Sequence, residues 1–141
     1  MRASGALYEQ LIPAVFDHAP DLLTGIRDFF AGAAHHLRVT DHAEACPITT
    51  VALETSSTSE PLRLACADVF ESWIAAGAER HVDAGLDQGR ARELAIGLLA
   101  ALEGAFVLSR ALRSTEPLEI AGQLVARAVA AELERPSGDQ T

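Results

Sequence analysis

The sequence contains no Lys and no Asn, and it has only one Trp, one Tyr, one Met and two Cys. Its 11 basic residues are therefore all Arg, set against 20 acids, and the net charge is −9. That shortage of positive charge argues against nucleic-acid binding by the chain itself, because neutralisation of phosphates supplies most of such affinity. Two cysteines are too few for a disulfide scaffold. With no signal peptide they read as small buried hydrophobes, and a reducing cytoplasm is the expected compartment. No run of 18 apolar residues occurs, since charges interrupt every apolar stretch, so a membrane role has no support.

Chemical motifs are also scarce. There is no CxxC, no HExxH and no Gly-rich loop behind a strand. His35, His36, His42 and Cys46 lie close in sequence, with His81 far away. Adjacent histidines on a helix point about 100° apart and do not chelate as an i, i+4 pair would. They are expected to be solvated or capping residues, with no metal or other cofactor. Ser72, Ser109 and Cys46 have no partner placed by a motif, so no catalytic residue is expected and the chain is not read as an enzyme.

What the sequence has in quantity is Ala and Leu, in a chain that is 49% apolar. At 141 residues it is one domain, long enough to bury roughly 70% of its unfolded surface, and the composition suits an all-α fold. Six helices follow from the periodicity. Residues 3–18 form a short, imperfect one that Pro13 should end or kink. Residues 21–37 form the cleanest, with Leu22, Ile26, Phe29, Phe30, Ala33 and Leu37 in helical register. Cys46-Pro47 opens a short third helix, although Thr49, Thr50 and Val51 would suit a strand equally well. Ser59-Glu60-Pro61-Leu62 supplies a cap, an acid and a first-turn Pro for the fourth, which Gly85 stops. The same signal recurs at Thr115-Glu116-Pro117-Leu118 for the sixth.

The fifth helix, Asp87 to Arg113, is the longest pattern. Leu94, Leu98, Ala101, Leu102 and Ala105 make one stripe; Gly97, Ala101, Gly104 and Leu108 make a second, nearly bare of side chain. A helix apolar over so much of its circumference needs cover on most sides. Its own domain covers one side, and the smooth stripe suggests that a second copy covers the other. Two acids, Glu54 and Glu103, lie inside apolar runs, where a carboxylate either recognises a cationic or hydrogen-bonding ligand or points to solvent. Phe29, Phe30, Phe70, Trp73 and Phe106 fall on three helices, as plain core or as the walls of a small-molecule pocket.

Cys46-Pro47-Ile48 leading into Ala52-Leu53-Glu54, then Ser59-Glu60-Pro61-Leu62, Leu102-Glu103-Gly104-Ala105 and Arg113-Ser114-Thr115-Glu116-Pro117-Leu118 resemble, in that order, the C-terminal domain of TetR-family transcriptional regulators of the LmrA-like branch. The resemblance spans about residues 20–133. It implies a TetR C-terminal-like bundle whose last two helices form a four-helix dimer interface with their copies, and a homodimer is expected. From it and the faces above, the expected interface is Gly97, Ala101, Gly104, Leu108, Leu124 and Ala128. A small lipophilic or aromatic effector would sit among Phe29, Phe30, Val51, Glu54, Phe70, Trp73, Leu102 and Phe106. DNA would be bound only through a basic N-terminal helix-turn-helix domain absent from this sequence. Gly5-Ala6-Leu7-Tyr8 is similar to the tail of the recognition helix, but the expected Phe and Lys do not follow. The implied organisation is a linker helix at 1–18, an effector-binding and dimerisation domain at 19–135, and a disordered tail at 136–141. The expected function is ligand sensing for a repressor; the alternative is a truncated helical protein that binds neither ligand nor DNA and acts through heterodimers.

Overall fold

The computed structural model describes residues 12–43 and 46–136. They form six helices and, among the described residues, no strand: α1 (described over 12–18), α2 (Leu22–Val39), α3 (Pro47–Thr55), α4 (Glu60–Asp83), α5 (Gln88–Leu112) and α6 (Glu116–Leu133). Thr49 to Val51 is helical, so the strand alternative is not taken. The described part of α1 runs on past Pro13 to His18 rather than ending at the proline. The expectations about 1–11, including Gly5-Ala6-Leu7-Tyr8, and about the tail from 137 onward lie outside the described residues.

The helix starts mostly follow the sequence signals. Asp21 accepts from the Thr24 amide at 2.7 Å, Ser59 from Leu62 at 3.4 Å and Asp87 from Arg90 at 2.9 Å. Thr115 departs from its signal and makes no cap bond to α6. Its hydroxyl instead accepts from Arg38 at 3.0 Å and donates to Glu119 at 3.3 Å, while Ser114 takes the Glu116 amide at 3.2 Å. The tertiary tie to α2 displaces the local cap.

Three helix ends close in the same way, with a six-to-one and a five-to-two backbone bond around a left-handed residue. After α4 the left-handed residue is Gly85, φ +108°, with Leu86 N–H donating to His81 and Gly85 N–H to Val82. After α2 it is Asp41 and after α5 it is Arg113, φ 50° and 49°, where no glycine marks the stop. The short link at Gly85 lays α4 antiparallel against α5, close enough that a Cβ on Gly77 would stand 3.3 Å from Ala95 Cβ.

Two apolar clusters result. One joins α2, α5 and α6 through Ile26, Phe30, Leu37, Leu102, Ala105, Phe106, Leu118, Ala126 and Val129. The other joins α1, α3 and α4 through Ile12, Cys46, Ile48, Cys66 and Trp73. Helix α5 reaches both, with Leu102 and Phe106 in the first and Leu99 against the second. It is also long and apolar enough, by length and composition, to cross a membrane. Here it packs between α4 and α6 as the central helix of the bundle.

Candidate functional site: a cavity walled by the central helix

The enclosed space lies where the two clusters meet. Its volume is about 40 Å³, and α5 forms one wall with Ala95, Leu98, Leu99, Leu102, Glu103 and Phe106. Ile12 and Phe16 come from α1, Phe29 from α2, and Trp73, Gly77 and His81 from α4, with Cys46 just ahead of α3. The spacing explains the convergence. Trp73, Gly77 and His81 recur every fourth residue on α4, and Leu98, Leu99, Leu102, Glu103 and Phe106 sit at threes and fours on α5, so each set shares one face.

The lining is apolar apart from the Trp73 indole N–H and the side chains of Cys46, His81 and Glu103. His81 is 1% exposed, and its Nδ1 meets the Gly77 carbonyl at 2.7 Å. A carbonyl only accepts, so Nδ1 carries the proton and the neutral ring leaves Nε2 as a bare acceptor, buried and without a partner. Burial lowers the His81 pKa, outweighing the carbonyl bond, and keeps the ring neutral. Both Glu103 carboxyl oxygens are buried without a hydrogen-bond partner. Burial raises the Glu103 pKa, and the Thr49 hydroxyl and Cys46 thiol nearby offset only part of that. The Cys46 thiol is pushed up to about 11, first by burial and then by the Glu103 charge, so it stays protonated and unreactive.

Two larger recesses share walls with the cavity. One of about 390 Å³ runs along α2, past Gly32, Ala33, His35 and His36, and ends on Phe29, Leu102 and Phe106. The other, about 610 Å³, runs along α3 between Thr50, Leu53, Glu54 and Arg110 and ends on Cys46, Glu103 and Phe106. Phe106 lines all three spaces.

Of the residues expected around an effector, Phe29, Trp73, Leu102 and Phe106 come together at the cavity. Glu54 is exposed and lines the recess along α3, sharing it with Phe106 and Glu103. Phe30 lies on the far side of α2, where a Cβ on Gly122 would come within 2.8 Å of its own Cβ, and it belongs to the α2–α6 core. Val51 and Phe70 pack behind Trp73, with the Phe70 ring edge-on to the indole at 5.7 Å. Among the expected interface residues, Gly97, Gly104, Leu108, Leu124 and Ala128 are exposed and Ala101 is half-buried. Leu98, expected to face the core and pocket, lines the cavity, whereas the sequence reading did not place His81, Leu99 or Phe16 there. For His81 the signal was present, since it extends the Trp73–Gly77 stripe by one more step of four; it is buried rather than solvated or capping. Among the described residues no three His, Cys, Asp or Glu side chains gather as a metal site.

The chain matches, over residues 23–124, the family described as the C-terminal domain of LmrA/YxaF-like transcriptional regulators. It is 30% identical over 115 residues to the uncharacterized HTH-type transcriptional regulator YxaF of Bacillus subtilis (strain 168), covering 82% of this chain and 60% of that protein. It is 30% identical over 109 residues to the HTH-type transcriptional regulator LmrA of the same organism, covering 77% and 58%. An uncharacterized HTH-type transcriptional regulator of Mycobacterium tuberculosis is 33% identical over 99 residues, covering 67% and 51%. The match thus spans a little over half the length of each of these relatives.

Proposed function

This chain belongs to the LmrA/YxaF-like transcriptional regulators of the TetR family, as their C-terminal domain, and from that premise we propose that it is the effector-sensing and dimerisation domain of a repressor. The observation that carries the proposal is the division of α5. One face walls the cavity through Leu98, Leu102 and Phe106. Around the rest of the helix Ile96, Val107, Leu108 and Leu112 are exposed, as are Ile120 and Leu124 of α6. On that exposed part a Cβ on Gly97 or Gly104 would meet nothing within 4 Å, so nothing in a single copy requires glycine there. A second copy packed α5 and α6 against α5 and α6 supplies the reason, because small residues allow helices to approach closely.

In this reading the effector enters the space around Phe106, shifts α5, and alters how two copies sit on each other, a rigid-body change through a shared interface. DNA contact belongs to a helix-turn-helix domain outside this chain, consistent with the net charge of −9. The test is sedimentation of the chain together with calorimetric titration of lipophilic and aromatic compounds. A dimer at micromolar concentration that binds such a compound supports the proposal; a monomer that binds none overturns it. The second reading, a helical dimer without effector binding, draws on the small size of the cavity. About 40 Å³ holds a few waters, whereas ligand sites usually run to roughly 300–1,000 Å³. A dimer that binds no compound would favour it.

A further inference from the structure

We propose that the cavity recognises a cationic effector, an apolar aromatic body bearing an ammonium or amidinium group, with Glu103 as its counter-ion and His81 as a second acceptor at the opposite end. This deepens the effector-domain reading above and rests on it.

Three observations support it. First, Glu103 is a buried acid with no cation of its own. Its buried oxygens have only the Thr49 hydroxyl and the Cys46 thiol beside them, neither of which carries a positive charge. Arg110, two turns further along the same helix and lining the same recess, spends its guanidinium on the backbone carbonyls of His42 and Ala43, at 3.3 and 3.1 Å. A buried carboxylate left unpaired is costly, and an incoming cation removes that cost.

Second, the polar lining offers two acceptors beside the Trp73 indole N–H. His81 Nε2 is a bare acceptor because Nδ1–H is held by Gly77, and the Glu103 carboxylate accepts only. The Cys46 thiol is a weak donor. Such a lining favours ligands rich in N–H groups and disfavours anions. Third, the two acceptors stand apart. The His81 ring folds back to Gly77, which faces Ala95, and Glu103 lies two turns beyond Ala95 on α5. At 1.5 Å per residue that places the two ends roughly 12 Å apart along the helix axis, about the length of a fused aromatic system with a short amine arm. The wall between them is apolar: Leu98, Leu99 and Leu102 of α5, with Trp73 and Phe29 opposite. The free volume is too small for such a body, so Phe106, which also lines both neighbouring recesses, must rotate to admit it.

The test uses three naphthalene compounds that differ in the end group alone: 2-(1-naphthyl)ethylammonium, 2-(1-naphthyl)ethanol and 3-(1-naphthyl)propanoate. Each is titrated by calorimetry into the wild-type chain and into Glu103→Gln at neutral pH. The proposal expects the ammonium to bind wild type at least tenfold more tightly than the alcohol, and the carboxylate to bind most weakly. In Glu103→Gln the preference for ammonium over alcohol should fall to near one, with alcohol affinity changed less than about twofold. Equal binding of ammonium and alcohol by wild type, or a preference that survives in Glu103→Gln, overturns the proposal and leaves the effector reading standing. If wild type binds none of the three, the effector reading falls as well.

Discussion

At the scale of single residues, Glu103 and His81, two of the titratable groups of the cavity, set opposite pH dependences. Burial raises the Glu103 pKa above its ordinary 4.5, so the folded state holds that proton more tightly than the unfolded state. Its contribution to stability is full below about 4.5 and is lost as pH rises through the raised pKa. Burial lowers the His81 pKa below 6.5; its contribution is full above 6.5 and is lost as pH falls through the lowered pKa. Glu103→Gln should therefore melt at a higher temperature than wild type at pH 7–8, with the gap closing toward pH 4.5. Melting curves across that range check it, and a variant less stable than wild type at pH 8 contradicts it. Leu102 and Leu108 separate core from surface on one helix. Leu102 is 5% exposed and bridges cavity and core, so Leu102→Ala should cost roughly 2–5 kcal/mol in denaturant unfolding. Leu108 is 55% exposed, and Leu108→Ala should weaken self-association while changing the unfolding of a single copy by less than about 0.5 kcal/mol.

At the scale of elements, the close approach of α6 to α2 depends on Gly122. A Cβ there would meet Phe30 Cβ at 2.8 Å and Cγ at 3.0 Å, both near the backbone and unable to swing away. Gly122→Ala should destabilise by roughly 1–3 kcal/mol through overpacking, despite the better helix propensity of Ala; a thermal midpoint at or above wild type would contradict this. The helices themselves were largely legible in the sequence, because Asp21, Ser59 and Asp87 cap where their spacing to the apolar stripes requires. Thr115 was not, since its hydroxyl is taken by Arg38 from 77 residues away, a tertiary choice no local pattern contains. The end of α5 at Arg113 was legible, but the left-handed conformation there and at Asp41 was not, because the backbone bonds of the motif hold non-glycine residues in a conformation that sequence associates with glycine. For the cavity, aromatic periodicity found Phe29, Trp73 and Phe106. It could not tell that Phe30, one residue on and about 100° around α2, faces α6 instead.

At the scale of the whole molecule, the bundle presents α5 and α6 as a surface that is apolar and, at Gly97 and Gly104, open. In the proposed function that surface is the seat of a second copy, and α5 is the connection between effector and partner. The most direct test of that function is sedimentation velocity of wild type and Gly104→Leu side by side at micromolar concentration. In one copy a Cβ at position 104 would meet nothing within 4 Å and the position is exposed, and replacing glycine inside a helix gains up to about 1 kcal/mol, so the variant should remain folded by circular dichroism. The expected result is a dimeric wild type and a folded, monomeric variant. A monomeric wild type, or a variant that dimerises as wild type does, would contradict it.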